Sequence, residues 1–403
     1  MTAVKRALVA AGGGLVAVGL GLGLVLVTTD TLGAHSNASA PVTTSTTTTQ
    51  GAATAPIAAP VTTTSRPAMV APTTRPAATV PPRTVPTKTV PPGTLPAAAV
   101  ATSLGPVPLA GCPVPAHPPL PPAPPPWHPA VLVPDSALPP VVAPSRWRSS
   151  LAPITGTGMW IWQWPATDGG DPAAVVAQAV HSGLHQLWVR VGDSKYGFYG
   201  KAELDALVPA AHAAGLSVIA WGFPYLYDPV GDARWTAEIL AWRSPRGQAV
   251  DGYSADIERP SEGVDLTARR AGVYLQGVRR AAGSRLVVAT VYPPSNFFWP
   301  SAYPYTAISP YVDAFAPMIY WQCTDPGSDV RLDVARLSTL RPVHIIGEAF
   351  NFASVGGRTV SPSGAEIREF LRNGQVVGAL GASFWVWQEA TPAEWSALSA
   401  YRW

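Results

Sequence analysis

The chain has 403 residues, of which 46 are proline and only 13% are charged, and both kinds are unevenly placed along it. A single globular unit does not have this composition, so the chain must be divided into parts. The formal net charge of +3 is small and includes the basic residues of the N-terminal third. No basic patch of the kind that nucleic-acid binding needs is present, so nucleic acid is not expected as a partner.

Residues 1–32 contain an apolar segment long enough to cross a bilayer. Lys5 and Arg6 precede an uncharged run from Ala7 to about Thr28, and a spanning helix needs roughly 20 residues. These two positive charges precede the apolar run, as expected for a spanning segment whose N-terminal end is cytoplasmic. The segment predicts export, as a cleaved signal peptide or as a retained single-span anchor. The protein is therefore expected outside the cell or at its surface, in contact with the membrane if the helix stays uncleaved.

Residues 33–149 are rich in Thr, Pro, Ala and Val, as in "TTTSRPAMVAPTTRPAATVPPRTVPTKTVPPGT". This composition offers no apolar face to bury and predicts a disordered linker, extended by its prolines. Two cysteines occur, Cys112 in the linker and Cys323 beyond it, which excludes a disulfide scaffold and a cysteine-rich zinc site. In an oxidising compartment they are expected to form one bridge, and two unpaired thiols are the alternative.

From residue 150 to residue 403, short apolar runs alternate with alanine-rich helical stretches. The eight runs begin at Gly158, Gln186, Ser217, Gly252, Leu286, Asp313, Val343 and Gly378. Several helical stretches end on a glycine, namely Gly183, Gly215 and Gly283. Eight such units in roughly 250 residues predict an α/β fold, the (β/α)8 barrel. A doubly wound open sheet is the alternative, but the glycine-rich first turn typical of that fold is missing.

The fourth run, "DGYSADIE", ends in two carboxylates, Asp256 and Glu258. Because side chains alternate across a strand, these two share one face and the apolar residues share the other. The apolar face suits a helix layer, so both carboxylates are expected inside the barrel at the C-terminal strand end, where barrel enzymes act. The alternative is that they only form ion pairs with Arg190 and Arg259 at the rim.

The same alternation brings polar and aromatic residues of other runs to this end of the barrel. The predicted substrate-binding residues are Arg190, Trp221, Tyr292, Tyr320, Gln322, Trp385 and Glu348. Aromatic faces stack on sugar rings, and several of the chain's 15 tryptophans lie near strand ends. Glu348 is also an alternative second carboxylate. His181, His185 and His212 lack the spacing of metal ligands, so no metal or other cofactor is predicted.

The fourth run resembles the Asp-Gly-x-Asp-x-Asp-x-Glu signature of the family 18 glycoside hydrolases, the chitinase-like barrels. The matching residues are Asp251, Gly252, Asp256 and Glu258. Two shorter stretches, "PMIYW" and "GASFWVW", resemble the Met-x-Tyr-Asp and Gly-x-x-x-Trp patterns on strands six and eight of that family. Ser254 and Trp321 stand where the family has Asp.

The resemblance implies a glycosidase that cleaves a cell-wall or N-acetylated polysaccharide. Glu258 is then the general acid, and an ionised Asp256 stabilises the transition state. The expected partner is a polysaccharide or a peptidoglycan-type glycan, and the chain is expected to be a monomer. Two other functions remain open: a catalytically inactive glycan-binding barrel tethered at the cell surface, and an anchored structural protein whose barrel binds another protein.

Overall fold

The computed structural model describes residues 129, 132–295, 303–352 and 358–403. The apolar segment 1–32 and most of the predicted linker lie outside these residues, so both stay predictions. None of the helices within the described part of the chain is long and apolar enough to cross a membrane.

Eight parallel strands form the centre of the fold, and a ninth short strand pairs with one of them. They are β1 (Gly156–Ile161), β2 (Gln186–Asp193), β3 (Gly197–Phe198), β4 (Ser217–Phe223), β5 (Gly252–Asp256), β6 (Leu286–Val291), β7 (Ala314–Pro317), β8 (Ile345–Glu348) and β9 (Gly381–Trp385). The order in the sheet is β7-β6-β5-β4-β2-β1-β9-β8, with β3 antiparallel to β2. Two parallel bridges, Phe315 with Val343 and Met318 with Ile346, join β7 to β8. The sheet thus closes on itself, which confirms the predicted (β/α)8 barrel.

A helix follows each barrel strand. The helices are α1 (Pro172–His181), α2 (Lys201–Ala213), α3 (Pro229–Ala241), α4 (Ala268–Ala282), α5 (Tyr305–Ile308), α6 (Pro326–Leu337), α7 (Gly364–Val376) and α8 (Pro392–Ser399). Six of them begin after a side chain that accepts an N–H of the first turn: Asp171, Asp228, Thr267, Asp325, Ser363 and Thr391. The glycines predicted to end α1, α2 and α4 have positive φ angles of 67°, 76° and 59°.

Tryptophans pack against one another in the barrel interior. The ring centroid of Trp160 lies 4.8 Å from that of Trp188 and 5.4 Å from that of Trp221. Trp385 joins them, with its centroid 5.6 Å from that of Trp221. Gly158 leaves room for this packing, since a Cβ at that position would lie 3.0 Å from the Trp188 Nε1. Aromatic residues that the sequence places at the substrate end therefore also fill the core of the barrel.

Residues 132–149, which the sequence analysis assigns to the linker, lie along α4, and we call them the strap. Near the start of α4, the Arg270 guanidinium donates to the Val133 carbonyl at 2.6 Å. Near its end, the Cζ of Arg279 lies 4.2 Å from the ring centroid of Trp147. The strap is therefore bound along the whole length of this helix.

Cys323 follows β7 and is disulfide-bonded. Cys112, the partner expected from the sequence, lies outside the described residues. The Cys112–Cys323 pairing therefore stays a prediction.

Candidate active site

Asp256 and Glu258 lie at the C-terminal end of β5, with 2% and 0% of their surfaces exposed. The strand is paired on both sides, to β4 and to β6. Tyr253 faces the helix layer, where its hydroxyl lies 2.9 Å from that of Tyr274 on α4. Because side chains alternate along a strand, Asp256 lies on the opposite face from Tyr253, toward the barrel interior.

Tyrosines surround Glu258. The hydroxyl of Tyr292 hydrogen-bonds to Glu258 and lies 3.3 Å from the Glu262 Oε1. The Tyr303 hydroxyl donates to the carbonyl of Ile257 at 2.7 Å. Burial, together with the charges of Glu258 and Glu262, raises the pKa of Tyr292 well above its ordinary value. Tyr292 therefore stays protonated, and its hydroxyl donates to Glu262.

Arg190 lies on the Asp256 side of the site. Its Nη2 lies 3.0 Å from the Asp193 Oδ2, and its Cζ lies 5.5 Å from the ring centroid of Trp221. Burial alone would lower the pKa of Arg190, but neighbouring groups, among them Tyr199, Asp193 and Asp256, raise it. The positively charged Arg190 side chain thus interacts electrostatically with the Asp256 carboxylate.

Glu348, the alternative carboxylate, ends β8 and is fully buried. Its Oε2 accepts the backbone N–H of Gln322 at 3.1 Å, and its Oε1 has no hydrogen-bond partner among the described residues. Burial raises the pKa of Glu348 well above its ordinary value, although the Gln322 N–H and the charge of Arg358 oppose this. Burial therefore favours the neutral form of this carboxyl group. Gln322 takes part here through its backbone, which has a positive φ of 46°.

The residues that follow β7 point in opposite directions. Tyr320 is half-buried, and its ring centroid lies 5.5 Å from that of Phe350. Trp321 points into the helix layer, where its centroid lies 5.1 Å from that of Phe370 and its Nε1 lies 3.3 Å from the Glu366 Oε1. The position at which the resembling family has Asp is thus outside the barrel interior.

Two other motif positions have local structural partners. The Ser254 hydroxyl lies 2.8 Å from that of Thr290 on the neighbouring strand. Asp251 lies at the opposite end of β5, where it accepts the Val218 N–H at 2.7 Å and lies 2.8 Å from the His212 Nε2. The matched residues that reach the C-terminal end of the strand are therefore Asp256 and Glu258.

Four residues at this end of the barrel were not predicted from the sequence: Asp193, Tyr199, Tyr225 and Tyr303. The first three interact electrostatically with Arg190. Asp193 accepts the N–H groups of Lys195 and Tyr196, at 3.0 and 2.8 Å, while it pairs with Arg190. The only sequence signal for Asp193 is its position three residues after Arg190, which is predicted to face the interior. This signal does not predict the direction of the Asp193 side chain, because that direction depends on the hairpin between β2 and β3.

The described residues thus bring two buried carboxylates, a buried arginine and several neutral tyrosines to one end of the barrel. They contain no group of three or more His, Cys, Asp or Glu side chains that could hold a metal ion. Such a set can donate a proton, stabilise positive charge and hydrogen-bond to hydroxyl groups.

No protein-family model and no curated protein matches this chain. Solved structures do resemble it. A class V chitinase from Pseudomonas fluorescens is 13% identical, with 61% of this chain and 99% of that one covered and a TM-score of 0.45. The spore cortex-lytic enzyme SleL from Bacillus cereus is 13% identical, with coverage of 63% and 74% and a TM-score of 0.46. An endo-1,4-beta-mannanase from Rhizomucor miehei is 8% identical, with coverage of 60% and 90% and a TM-score of 0.45. These structural neighbours are glycan-cleaving enzymes, and at such identities and TM-scores the likeness carries no argument about the activity of this chain.

Proposed function

We propose that this chain is an exported glycoside hydrolase that cleaves a cell-wall or N-acetylated polysaccharide. The observation that carries the proposal is Glu258, which is fully buried at the C-terminal end of the fourth barrel strand and hydrogen-bonded by Tyr292. Asp256 stands two residues earlier on the same strand. Two acids buried together are costly unless they have a function.

Each carboxyl group has a role in the proposed reaction. Cleavage of a glycosidic bond needs a proton on the leaving oxygen and negative charge near the oxocarbenium-like transition state. Glu258 donates the proton, and Asp256, whose charge faces Arg190, supplies the stabilising carboxylate. The Tyr292 hydroxyl donates to Glu262 and hydrogen-bonds to Glu258, and so fixes the orientation of the acid.

The proposed location is outside the cell. It rests on the apolar run that follows Lys5 and Arg6, and on the proline-rich linker. An extended linker at about 3.1 Å per residue would carry the barrel across a thick wall layer. An N-terminal sequence of the protein recovered from the cell surface tests this, and recovery from the cytosol would contradict it.

The test of activity compares the parent chain with Glu258→Gln on chitin oligomers, peptidoglycan and β-glucans, with detection of new reducing ends. We expect the substitution to keep the fold and lower turnover on the order of 10²-fold, the size of a general-acid contribution. Glu238→Gln, an exposed site on α3, is the matched control. An active parent that keeps its full rate after Glu258→Gln contradicts the assignment, and Glu348→Gln is then the next variant.

A glycan-binding barrel without activity is the second candidate. The observation that favours it is Ser254, whose hydroxyl pairs with Thr290 where the resembling family has a carboxylate. This function predicts binding of the same oligomers with no turnover in the parent, and equal binding by Glu258→Gln.

A further inference from the structure

The hairpin formed by β2 and β3 carries two exposed aromatic side chains, Tyr196 and Tyr199. Of the nine large apolar residues that are exposed in the described part of the chain, these two are the only aromatic ones, with 51% and 41% of their surfaces exposed. Their ring centroids lie 6.4 Å apart at an interplanar angle of 80°. Among the described residues, the exposed aromatic rings thus lie on one short element, at the barrel end that contains Asp256 and Glu258.

The hairpin that carries these rings is held in place by its own hydrogen bonds. The Asp193 Oδ1 accepts the N–H of Lys195 and that of Tyr196. The Ser194 hydroxyl donates to the Asp232 Oδ1 at 2.6 Å. Trp235 packs beneath the hairpin so closely that a Cβ at Gly192 would lie 2.9 Å from its ring. The tyrosines are therefore presented from a fixed backbone, which lowers the entropy cost of binding to them.

Tyr199 connects the hairpin to the proposed active site. Although 41% of its surface is exposed, burial raises its pKa to about 12, against the opposing charge of the neighbouring Arg190. The charge of Asp256 in turn helps to raise the pKa of Arg190. Arg190 thus interacts electrostatically both with Tyr199 of the hairpin and with Asp256.

We propose that Tyr196 and Tyr199 form a stacking platform for distal sugar units of the same glycan whose bond is cleaved at Glu258. The proposal rests on the proposed function and adds a preference for longer chains. Pyranose rings stack on single aromatic faces, whereas protein or lipid partners need a continuous apolar patch of several hundred Å². The Nζ of Lys195 lies over one face of the Tyr196 ring, 4.6 Å from its centroid, so a sugar ring would stack on the opposite face.

The experiment measures binding rather than turnover, with the full chain carrying Glu258→Gln so that the probes are not consumed. The probes are chitin oligomers of two and six sugars. Tyr196→Ala and Tyr199→Ala should each weaken binding of the six-sugar probe about 3- to 10-fold, the size of one stacking contact, and more than they weaken binding of the two-sugar probe. Tyr196→Trp, which keeps an aromatic face, should retain the binding. The matched control is Val180→Ala on α1, whose side chain is 52% exposed and lies outside the hairpin.

Each outcome decides between the platform and the proposed function. If the six-sugar probe binds and both alanine variants bind it as the parent does, the platform is wrong and the proposed function stands. Equal weakening of both probes also overturns the platform, since a distal contact is reached only by the longer chain. If the parent binds and cleaves neither these oligomers nor peptidoglycan nor β-glucan, the proposed function fails and the platform fails with it.

Discussion

Single hydroxyl groups set the environment of the proposed acid. Tyr292 reaches both Glu258 and Glu262, and its ring lies 4.5 Å from the Arg259 Cζ. A donor with a strongly raised pKa does not ionise at any pH at which the protein works. Its contribution to the site is therefore constant with pH, and it acts through geometry.

Tyr292→Phe tests this contribution. The substitution removes one hydroxyl and leaves the ring, so Glu258 loses a hydrogen-bond partner without a large change in packing. We expect turnover to fall about 5-fold, because a hydrogen bond between a hydroxyl and a protonated acid contributes about 1 kcal/mol. The change should lie in kcat more than in KM, since the hydroxyl contacts the carboxyl groups of Glu258 and Glu262. Steady-state kinetics on the best oligomer from the activity screen measure it.

The control for Tyr292→Phe is Tyr274→Phe. The Tyr274 hydroxyl is also fully buried, but it bonds to Tyr253 in the helix layer. This variant should lose stability by about 1 kcal/mol and keep its turnover. Equal kinetics in the two variants would mean that Tyr292 is only a packing residue.

At the scale of single residues, alternation along β5 is enough to predict that Asp256 faces the interior. The same rule cannot separate a tryptophan that packs inside the barrel from one that lines its open end, because both lie on the inward face of a strand. Trp221 and Trp385 are 1% and 4% exposed for this reason. Contacts between distant strands determine whether such a tryptophan is packed inside the barrel or lines its open end. These contacts leave no local pattern in the sequence.

One buried carboxylate joins the loops that follow two neighbouring strands. Asp232, on the first turn of α3, accepts from Ser194 in the β2–β3 hairpin at 2.6 Å and from the N–H of Leu226 after β4 at 2.9 Å. The Trp235 Nε1 donates to it as well, at 3.1 Å. Burial raises the pKa of Asp232 to about 6, although these hydrogen bonds lower it. The position of the hairpin therefore depends on a group that ionises in a mildly acidic range.

The effect of Asp232 on stability has a defined sign. An unfolded aspartate has a pKa of about 3.9, so the folded-state pKa is the higher one. The contribution of Asp232 is then complete below about pH 4 and is lost as the pH rises through about 6. A difference of about two between the folded and unfolded pKa values corresponds to about 3 kcal/mol. Asp232→Asn has no such dependence, so its free energy of unfolding relative to the parent should rise by up to about 3 kcal/mol between pH 4 and pH 7.

Urea unfolding of both chains at several pH values between about 4 and 7 measures this difference. The matched control is Asp228→Asn, which changes the carboxylate that caps the same helix through the Gly231 N–H. A relative stability of Asp232→Asn that stays constant across the range would contradict the linkage, even if the variant is less stable throughout.

At the scale of elements, the eight strands and their helices follow from the alternation of apolar runs and helical stretches. The hairpin does not follow from it, since β3 has two residues and gives no periodic signal. Helix α5 has four residues, too few for a helical pattern, and here the repeat alone indicates a helix. Elements stabilised by contacts with other parts of the chain are thus the ones that the sequence does not predict.

At the scale of the whole molecule, the strap extends the folded unit beyond the barrel. The Trp147 Nε1 donates to the Asp313 Oδ1 at 2.6 Å, and Asp313 also pairs with Arg279 at 2.7 Å. Prolines and alanines give the strap the same composition as a linker, so composition cannot reveal it. The partners that order it are charged side chains of α4 and Asp313, the residue before β7, which lie more than 100 residues away.

Trp147→Ala should release the lower part of the strap. The variant loses the ring over Arg279 and the bond to Asp313, and we expect a loss of about 2–3 kcal/mol for this half-buried tryptophan. For a domain of this size the melting temperature should fall by about 4–12 °C. Trp147→Phe keeps an aromatic face over Arg279 and should lose about 1 kcal/mol.

Trypsin reports the same release directly, because the sequence has no lysine or arginine between Lys88 and Arg146. Cleavage requires the backbone around a site to leave the folded surface, and the strap of the parent is bound on both sides of Arg146. The resistant fragment of the parent should therefore begin after Lys88, whereas that of Trp147→Ala should begin after Arg146 or Arg148. Arg270→Met, which cuts the bonds near Val133 instead, should lower stability without exposing these two sites to the same extent. A parent that is cut at Arg146 as fast as at Lys88 would show that the strap does not hold in solution, and the folded unit would then begin near residue 150, as the composition alone predicts.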